Sequence, residues 1–299
     1  MKKMFFFALA AAGMLTACSN EDTLGGNGEQ NVSEQQIRLG VASSKVQTRG
    51  TGTVGGMTDT ENKWAGQTLW VYMLQKGSME LGYYKTPADA AGAAVGTAVF
   101  DNKEFKAPNT AASTVSGLAT TADGAIAYYP VSGNYDFWGY RVDDAVTLVD
   151  NGNGVMVPDV KTVDDTDAEV GEGEATKRVV DIKINGSQDI MAGKATPSAD
   201  EVAKLGNYGE NFYSAYAARK GVQPNITFNH LLTRFTFEVR AGSKATAGAG
   251  ASGNTEAVRV QGVSVESLTD GKLTVAYKGA TKEAADLLTF TGNASPLKL

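Results

Sequence analysis

Short runs in which apolar and polar residues alternate, separated by glycine-rich turns, most constrain how this chain of 299 residues can fold. Neighbouring side chains of a β-strand point to opposite faces, so the alternation indicates strands with one buried face. Many short strands between turns are typical of β-sandwiches rather than of βαβ units. We therefore predict an all-β fold, with strands at residues 37–41, 68–74, 125–130, 135–141, 179–184, 227–231, 235–239, 258–265 and 273–277.

One segment predicts a helix. Ser198 can cap the amino end of a helix over residues 199–205, and Asp200 and Glu201 place acidic side chains in its first turn. Gly206 is then expected to end the helix. Helix is therefore expected to be a minor part of the fold.

Composition argues against several kinds of function. Cys18 is the only cysteine, so the chain can form no internal disulfide and no thiolate metal site. His230 is the only histidine, which leaves no pair of imidazoles for a metal. The formal net charge of −6 disfavours nucleic acid, whose phosphates need a basic face. Acidic residues within 164–174 could bind Ca²⁺, but their spacing fits no EF-hand, and a solvated hairpin loop is the better interpretation. We expect no cofactor, no metal, no nucleic-acid partner and no enzymatic activity.

The amino-terminal residues have the pattern of an export signal. Lys2 and Lys3 precede an apolar run over residues 4–15, and small residues follow. A run of about a dozen residues is too short to cross a hydrocarbon core, which needs about twenty. The sequence Leu-Thr-Ala-Cys that ends at Cys18 resembles the lipobox of bacterial lipoproteins. This resemblance implies removal of residues 1–17 and diacylation of Cys18; the alternative is an ordinary signal peptide with a chance cysteine.

Two acidic residues close to Cys18 indicate where in the cell the protein is sent. Glu21 and Asp22 are similar to the acidic signal that sends some lipoproteins of Gram-negative anaerobes to the outer face of the outer membrane. The same residues would also fit a solvated tether that cannot order itself. We expect a cell-surface protein of the outer membrane, anchored by lipid at Cys18 at least before any processing.

Three further segments carry a family resemblance. They are an aromatic strand pair over residues 128–140, the sequence Gln-Asp-Ile-Met-Ala-Gly over residues 188–193, and a Phe-x-His-x-Leu strand within residues 226–239. In this order, and together with the lipobox, they resemble the fimbrillins, the subunits of type V pili. The resemblance runs from residue 1 to about residue 280.

The fimbrillin resemblance implies two tandem β-sandwich domains with transthyretin-like topology. They would cover residues 50–222 and 223–299, after a tether and removable first strand over residues 18–49. The second domain would be short for this family: it is either abbreviated, completed by a partner's strand, or truncated. The resemblance also implies that an arginine-specific surface protease cuts after the first strand, and that an extended segment of a neighbouring fimbrial subunit replaces it.

Residues matching this mechanism are present. Ile37, Leu39 and Val41 would be the inward-facing side chains of the displaced strand, and the Arg49–Gly50 bond is the candidate cleavage site. Alternatively, residues 37–41 form a permanent strand and Arg49 is a solvated loop charge. We expect a structural subunit of a surface fimbria that contributes to cell adhesion.

A function of another class stays open. The chain could be a monomeric surface lipoprotein that binds glycan or a host ligand through the loops of a β-sandwich. Trp64, Trp70 and Trp138 could form a sugar-stacking platform, although Trp70 and Trp138 lie in strand patterns that predict core positions.

Overall fold

The computed structural model describes residues 35–43, 66–83, 98–108, 116–130, 132–164, 175–208, 212–233, 235, 237–238, 261–278 and 286–298. Two short α-helices occur among these residues, α1 (Ala199–Leu205) and α2 (Ala215–Arg219). Strands dominate, so the predicted all-β class is confirmed. The strands are β1 Gly40–Ser43, β2 Thr68–Gln75, β3 Lys103–Lys106, β4 Ser116–Leu118, β5 Thr120–Thr121, β6 Tyr135–Arg141, β7 Leu148–Asp150, β8 Met156–Pro158, β9 Val160–Asp164, β10 Ala175–Lys183, β11 Met191–Lys194, β12 Asn225–His230, β13 Ser264–Ser267, β14 Asp270–Tyr277, β15 Leu288–Thr291 and β16 Ser295–Lys298.

Most of these strands belong to two sheets. The larger sheet has eight strands in the order β4-β1-β12-β11-β6-β2-β3-β5, and the smaller has four in the order β15-β14-β10-β9. The strands β13 and β16 form a separate pair, as do β7 and β8. Among the strand pairs of the described residues, β1 with β12 is the parallel one, and the others are antiparallel.

The larger sheet carries a hydrophobic core on each face. The side chains of Leu69, Val71 and Met73 on β2 belong to the first core, which also contains residues of α2 and of the segment before β1. The alternate β2 side chains Trp70, Tyr72 and Leu74 belong to the second core, which the larger sheet shares with β10 and β14 of the smaller sheet. Because β2 is covered on both faces, its sequence is a continuous apolar run.

Two elements agree closely with the predictions made from the sequence. The predicted strand at residues 135–141 coincides with β6. The predicted helix is confirmed as α1, with Ser198 as its cap and with Glu201 completing a capping box. Both elements carry strong local signals, which explains the agreement.

Other predicted strands need correction. The described residues of the predicted strand at 235–239 lie outside any strand, and Phe235 and Phe237 are exposed, with tilted rings whose centroids are 6.4 Å apart. Alternation alone forms no strand where no partner strand pairs with the segment. At residues 125–130 only Tyr128 forms an isolated bridge, to Gln36. Of the predicted strand at 258–265, the described residues before Ser264 are not in a strand.

Strand β11 was not predicted, because Met-Ala-Gly-Lys is short and contains a glycine. Gly193 is required there because a Cβ would overlap the carbonyl oxygen of Thr227 on β12. The close approach of β11 and β12 therefore depends on a glycine, which a propensity argument counts against a strand.

The division predicted between residues 222 and 223 does not coincide with a break in the sheets. Strand β12 follows this position but lies between β1 and β11, and β14 pairs with β10. Residues 34–299 form one compact unit, in which strands from both sides of residue 222 share both large sheets.

Candidate functional site: the first-strand slot

The three segments that carry the family resemblance meet in the centre of the larger sheet. Strands β12, β11 and β6 are neighbours in that order, and each contains part of one motif. Met191 on β11 lies opposite His230 on one side and opposite Arg141 on the other. The sequence motifs therefore mark one continuous strip of sheet.

A buried ionic cluster joins the ends of these strands. Arg141 is 2% exposed and pairs with Asp143, and it donates to the carbonyl oxygen of Asp189 at 2.8 Å and to Gln67 Oε1 at 3.2 Å. His230 Nδ1 hydrogen-bonds Asp189 Oδ1 at 2.8 Å. Burial lowers the pKa of Arg141, while Asp143 and then Asp189 act against this change.

In this cluster His230 has a structural role, because its hydrogen bond to Asp189 links β12 to the residues just before β11. Its partner is a carboxylate that also holds a buried guanidinium, and no serine or threonine hydrogen bond to the ring occurs in the described residues. Within the same residues, no group of three or more His, Cys, Asp and Glu side chains could hold a metal ion.

The second notable site is the place occupied by residues 35–43, which we name the first-strand segment. The side chains of Ile37, Leu39 and Val41, predicted to face inward, are 7%, 2% and 0% exposed and belong to the first core. Arg38 between them is exposed. The segment therefore has one buried apolar face and one open face, as a period of two requires.

On one side, the first-strand segment is bonded to two stretches of backbone. Strand β4 pairs with β1 antiparallel, and Ala119 N–H donates to Leu39 O at 2.9 Å. Further along, Ile37 N–H donates to Ala127 O at 2.9 Å, and Tyr129 N–H donates to Gln35 O at the same distance.

On the other side, the first-strand segment is bonded to β12 and to the two residues before it. The β1–β12 pairing is parallel, with Val41 opposite Ile226, and Gly40 N–H donates to Pro224 O at 2.8 Å. Gln223 bonds the segment through its side chain: Arg38 N–H donates to Oε1 at 3.1 Å, and Nε2 donates to Gln36 O at 3.0 Å.

We name the surrounding residues 116–119, 127–129 and 223–228 the first-strand slot. The slot holds an extended segment by main-chain hydrogen bonds on both edges and by apolar side chains on one face. A strand at this position is internal to the sheet, although it comes first among the described elements. Sequence reasoning found its three apolar residues but missed Gln223, whose only signal is the proline after it.

A cavity of about 300 Å³ lies beside the slot, against the second core. Polar side chains of β11 and β12 line it, together with aromatic residues; they include Trp138, Lys194, Asn225, Thr227, Asn229 and Tyr277. Trp138 is 4% exposed and Trp70 is 7% exposed. The Lys194 ammonium lies 4.5 Å from the Trp138 ring centre, and the Tyr277 ring lies 4.4 Å from it. Both tryptophans are therefore core residues, and neither offers an open ring face for a sugar.

Several predicted site residues lie outside the described residues. They are the lipidation site Cys18, the cleavage site Arg49 and Gly50, the address residues Glu21 and Asp22, and Trp64. Of the acidic cluster, Asp164 ends β9 and residues 165–174 lie outside. In the part of the chain that the structure describes, no helix has the length and apolar character needed to span a membrane.

Comparisons of this chain with protein-family models, with curated proteins and with solved structures find no match.

Proposed function

We propose that this chain is a structural subunit of a type V surface pilus, assembled by strand exchange at the first-strand slot and contributing to cell adhesion. The observation that supports this proposal is the inserted strand. The first-strand segment is bonded on both edges, and it precedes the arginine-bearing stretch over residues 44–56 in the sequence. Its removal would leave two rows of main-chain groups and three apolar positions without partners.

The energetics favour refilling of an emptied slot. Burying an Ile, Leu or Val side chain contributes about 1.5–3 kcal/mol. The three side chains together then contribute about 5–9 kcal/mol as an upper estimate. Since whole domains are stable by only about 5–15 kcal/mol, a subunit with an empty slot would be close to unfolding. A neighbour's extended segment, added as a strand, would restore the missing stability.

The proposal assigns roles beyond the slot. Cys18 carries the lipid anchor to the outer membrane, and an arginine-specific surface protease cuts the Arg49–Gly50 bond. Arg38 is another arginine that a protease could cut, and it lies within the first-strand segment. Its backbone N–H is bonded to Gln223, however, and its neighbours Ile37 and Leu39 are buried. We therefore expect cleavage at Arg49 and protection at Arg38. No catalytic role is proposed for the chain.

The first test is the amino-terminal sequence of the protein recovered from the surface of its native cells. A start at Gly50, with multimers that survive SDS, would support strand exchange. Arg49→Lys keeps the positive charge but blocks an arginine-specific protease, so it should retain the segment and lose the multimers. A lipid-blocked Cys18 on all of the wild-type surface protein would refute the exchange.

The cavity beside the slot favours a second candidate, a monomeric lipoprotein that binds glycan. Its Asn and Thr side chains offer the donors and acceptors that sugars need. Thr227→Ala combined with Asn229→Ala should then abolish binding of soluble polysaccharide, measured by calorimetry, whereas Thr121→Ala at the far edge of the sheet should not. Equal binding by the two variants would exclude this cavity as the sugar site.

A further inference from the structure

We propose that Gln223 is a positioning residue that fixes the register of whichever strand occupies the first-strand slot, by bonding its backbone where β12 cannot. This inference rests on the proposed strand exchange and names the chemistry of the partner: an extended peptide, parallel to β12, whose amino end Gln223 bonds through main-chain groups alone.

A parallel strand pair needs donors and acceptors in alternation along both edges. Pro224 supplies its carbonyl oxygen to Gly40 N–H but has no N–H of its own. With Gly40 opposite Asn225, an unbroken ladder would bond Pro224 N to Arg38 O, and would bond the Val222 N–H and carbonyl oxygen to Gln36 O and Arg38 N–H. Pro224 has no hydrogen to donate, and Val222 N–H donates to Ala217 O instead. The main-chain ladder with β12 therefore ends at Pro224, and Gln36 O and Arg38 N–H need another partner on this edge.

The Gln223 side chain is that substitute. A primary amide has the same pair of functions as a peptide group, one acceptor oxygen and a donor N–H. Gln223 accepts from Arg38 at 3.1 Å and donates to Gln36 at 3.0 Å, so it bonds both groups on either side of Ile37. On the β12 edge, Gln223 holds the end of the strand that carries Ile37, because β12 begins only at Asn225. Residues 127–129 hold the same end on the opposite edge.

Gln223 is placed by a rigid local structure. Ser214 caps α2, and after this helix Gly221 adopts a φ of +75°. Gly221 N–H donates to Ala218 O, and Val222 N–H donates to Ala217 O, both at 2.9 Å. These two bonds form a Schellman motif, and Val222 is fully buried beneath it. Gln223 therefore leaves the motif in a fixed direction before any strand is bound.

Such recognition ignores side chains at residues 36 and 38, because it reads only the backbone. It does depend on register, since a shift by one residue would present the Gln223 amide with groups that point the other way. The slot would then select an incoming strand by its three apolar positions and would align it through Gln223.

The first experiment uses the uncut chain and does not require strand exchange. Gln223→Met keeps the length of the side chain and removes both hydrogen bonds. We expect amide hydrogen exchange at Arg38 to quicken about five-fold or more, the effect of losing one hydrogen bond, while Gly40 changes less than about two-fold. Gln75→Met, at an exposed glutamine, is the matched control. Equal acceleration of amide exchange at Arg38 and Gly40 would show that Gln223 stabilises the whole segment without fixing its register, and would overturn the inference.

The second experiment tests the incoming strand. A synthetic peptide of residues 35–43 is added to protein that has been cut at Arg49 and freed of its own first-strand segment, and its affinity is compared with that of the same peptide carrying an ester in place of the Arg38 amide. The ester should weaken binding about five-fold in the wild type and have no further effect in Gln223→Met.

The outcomes of the second experiment separate the two proposals. An equal loss from the ester in both proteins would overturn the role of Gln223 and leave strand exchange intact. Failure of either peptide to enter the cut protein would overturn strand exchange itself, whatever the first experiment shows for the uncut chain.

Discussion

The two cores of this molecule are closed in different ways. The first core takes Ile37, Leu39 and Val41 from a short segment at one end of the described chain. The second core takes most of its residues from strands of the two large sheets and none from that segment. The smaller sheet is held by β10, which pairs with β9 and β14 along its length. Removal of the first-strand segment would therefore take three side chains from the first core and none from the second.

The largest expected effect separates the cores directly. Leu39→Ala and Leu273→Ala each remove a buried leucine, so each should lower the free energy of unfolding by about 2–5 kcal/mol in the uncut chain. After cleavage at Arg49 and release of the first-strand segment, the Leu39 substitution should cost nothing and the Leu273 substitution should cost as much as before. Denaturant unfolding of cut and uncut protein measures both. A cost at Leu39 that persists after release would contradict this difference between the two cores.

A smaller effect is expected where β11 and β12 approach closely, because both cores lie against these strands. Gly193→Ala places a methyl group against the Thr227 carbonyl oxygen, and relief requires the two strands to separate. We expect a loss of about 1–3 kcal/mol, the usual cost of overpacking, in cut and uncut chains alike. Gly262→Ala, at a glycine with open space around it, is the control for thermal unfolding. An equal change in both variants would contradict the packing argument.

The smallest effect concerns the surface charges of the two sheets. Lys103 bonds Asp123 at 2.5 Å at the edge of the larger sheet and, with the Ala125 N–H, lowers the pKa of that carboxyl to about 2. The folded pKa lies below its ordinary value of 3.8, so the stabilisation is present above that pH and is lost as pH falls towards 2. Because the pair is exposed, it contributes at most about 1 kcal/mol.

Lys103→Met should return the pKa of Asp123 towards its ordinary value in an NMR titration. Asp181 on the smaller sheet, whose pKa is lowered chiefly by Lys161 and then by Lys272, should titrate as before. A change at Asp181 would show that the charges of the two sheets are coupled.

Local signals explain which parts of the fold the sequence could predict. Aromatic alternation defined β6, and the Ser198–Glu201 capping box defined α1. The predicted strand at 235–239 had the same alternation but, in the described residues, no partner strand. Strand pairing is a property of distant residues, and local periodicity does not contain it.

The same reason limits prediction of the candidate site. The apolar residues of the first-strand segment were visible as an alternating run, but their parallel partner β12 lies far along the chain. The role of Gln223 depends on the turn after α2, which uses the N–H of Val222, and on the register of the β1–β12 pair. Local sequence patterns contain neither. Cys18 and Arg49 stay predictions from the sequence.

Insertion of a strand of one copy into the slot of another has a consequence for assembly. The donor strand and the slot are different surfaces, so the proposed exchange would be a head-to-tail contact. Such a contact leaves each added copy with the same unsatisfied surface as the one before, so it repeats without closing into a ring unless the rotation happens to close. A fibre built this way would be polar, with chemically distinct ends, and its length would be set by the supply of subunits and by whatever molecule occupies the last vacant end.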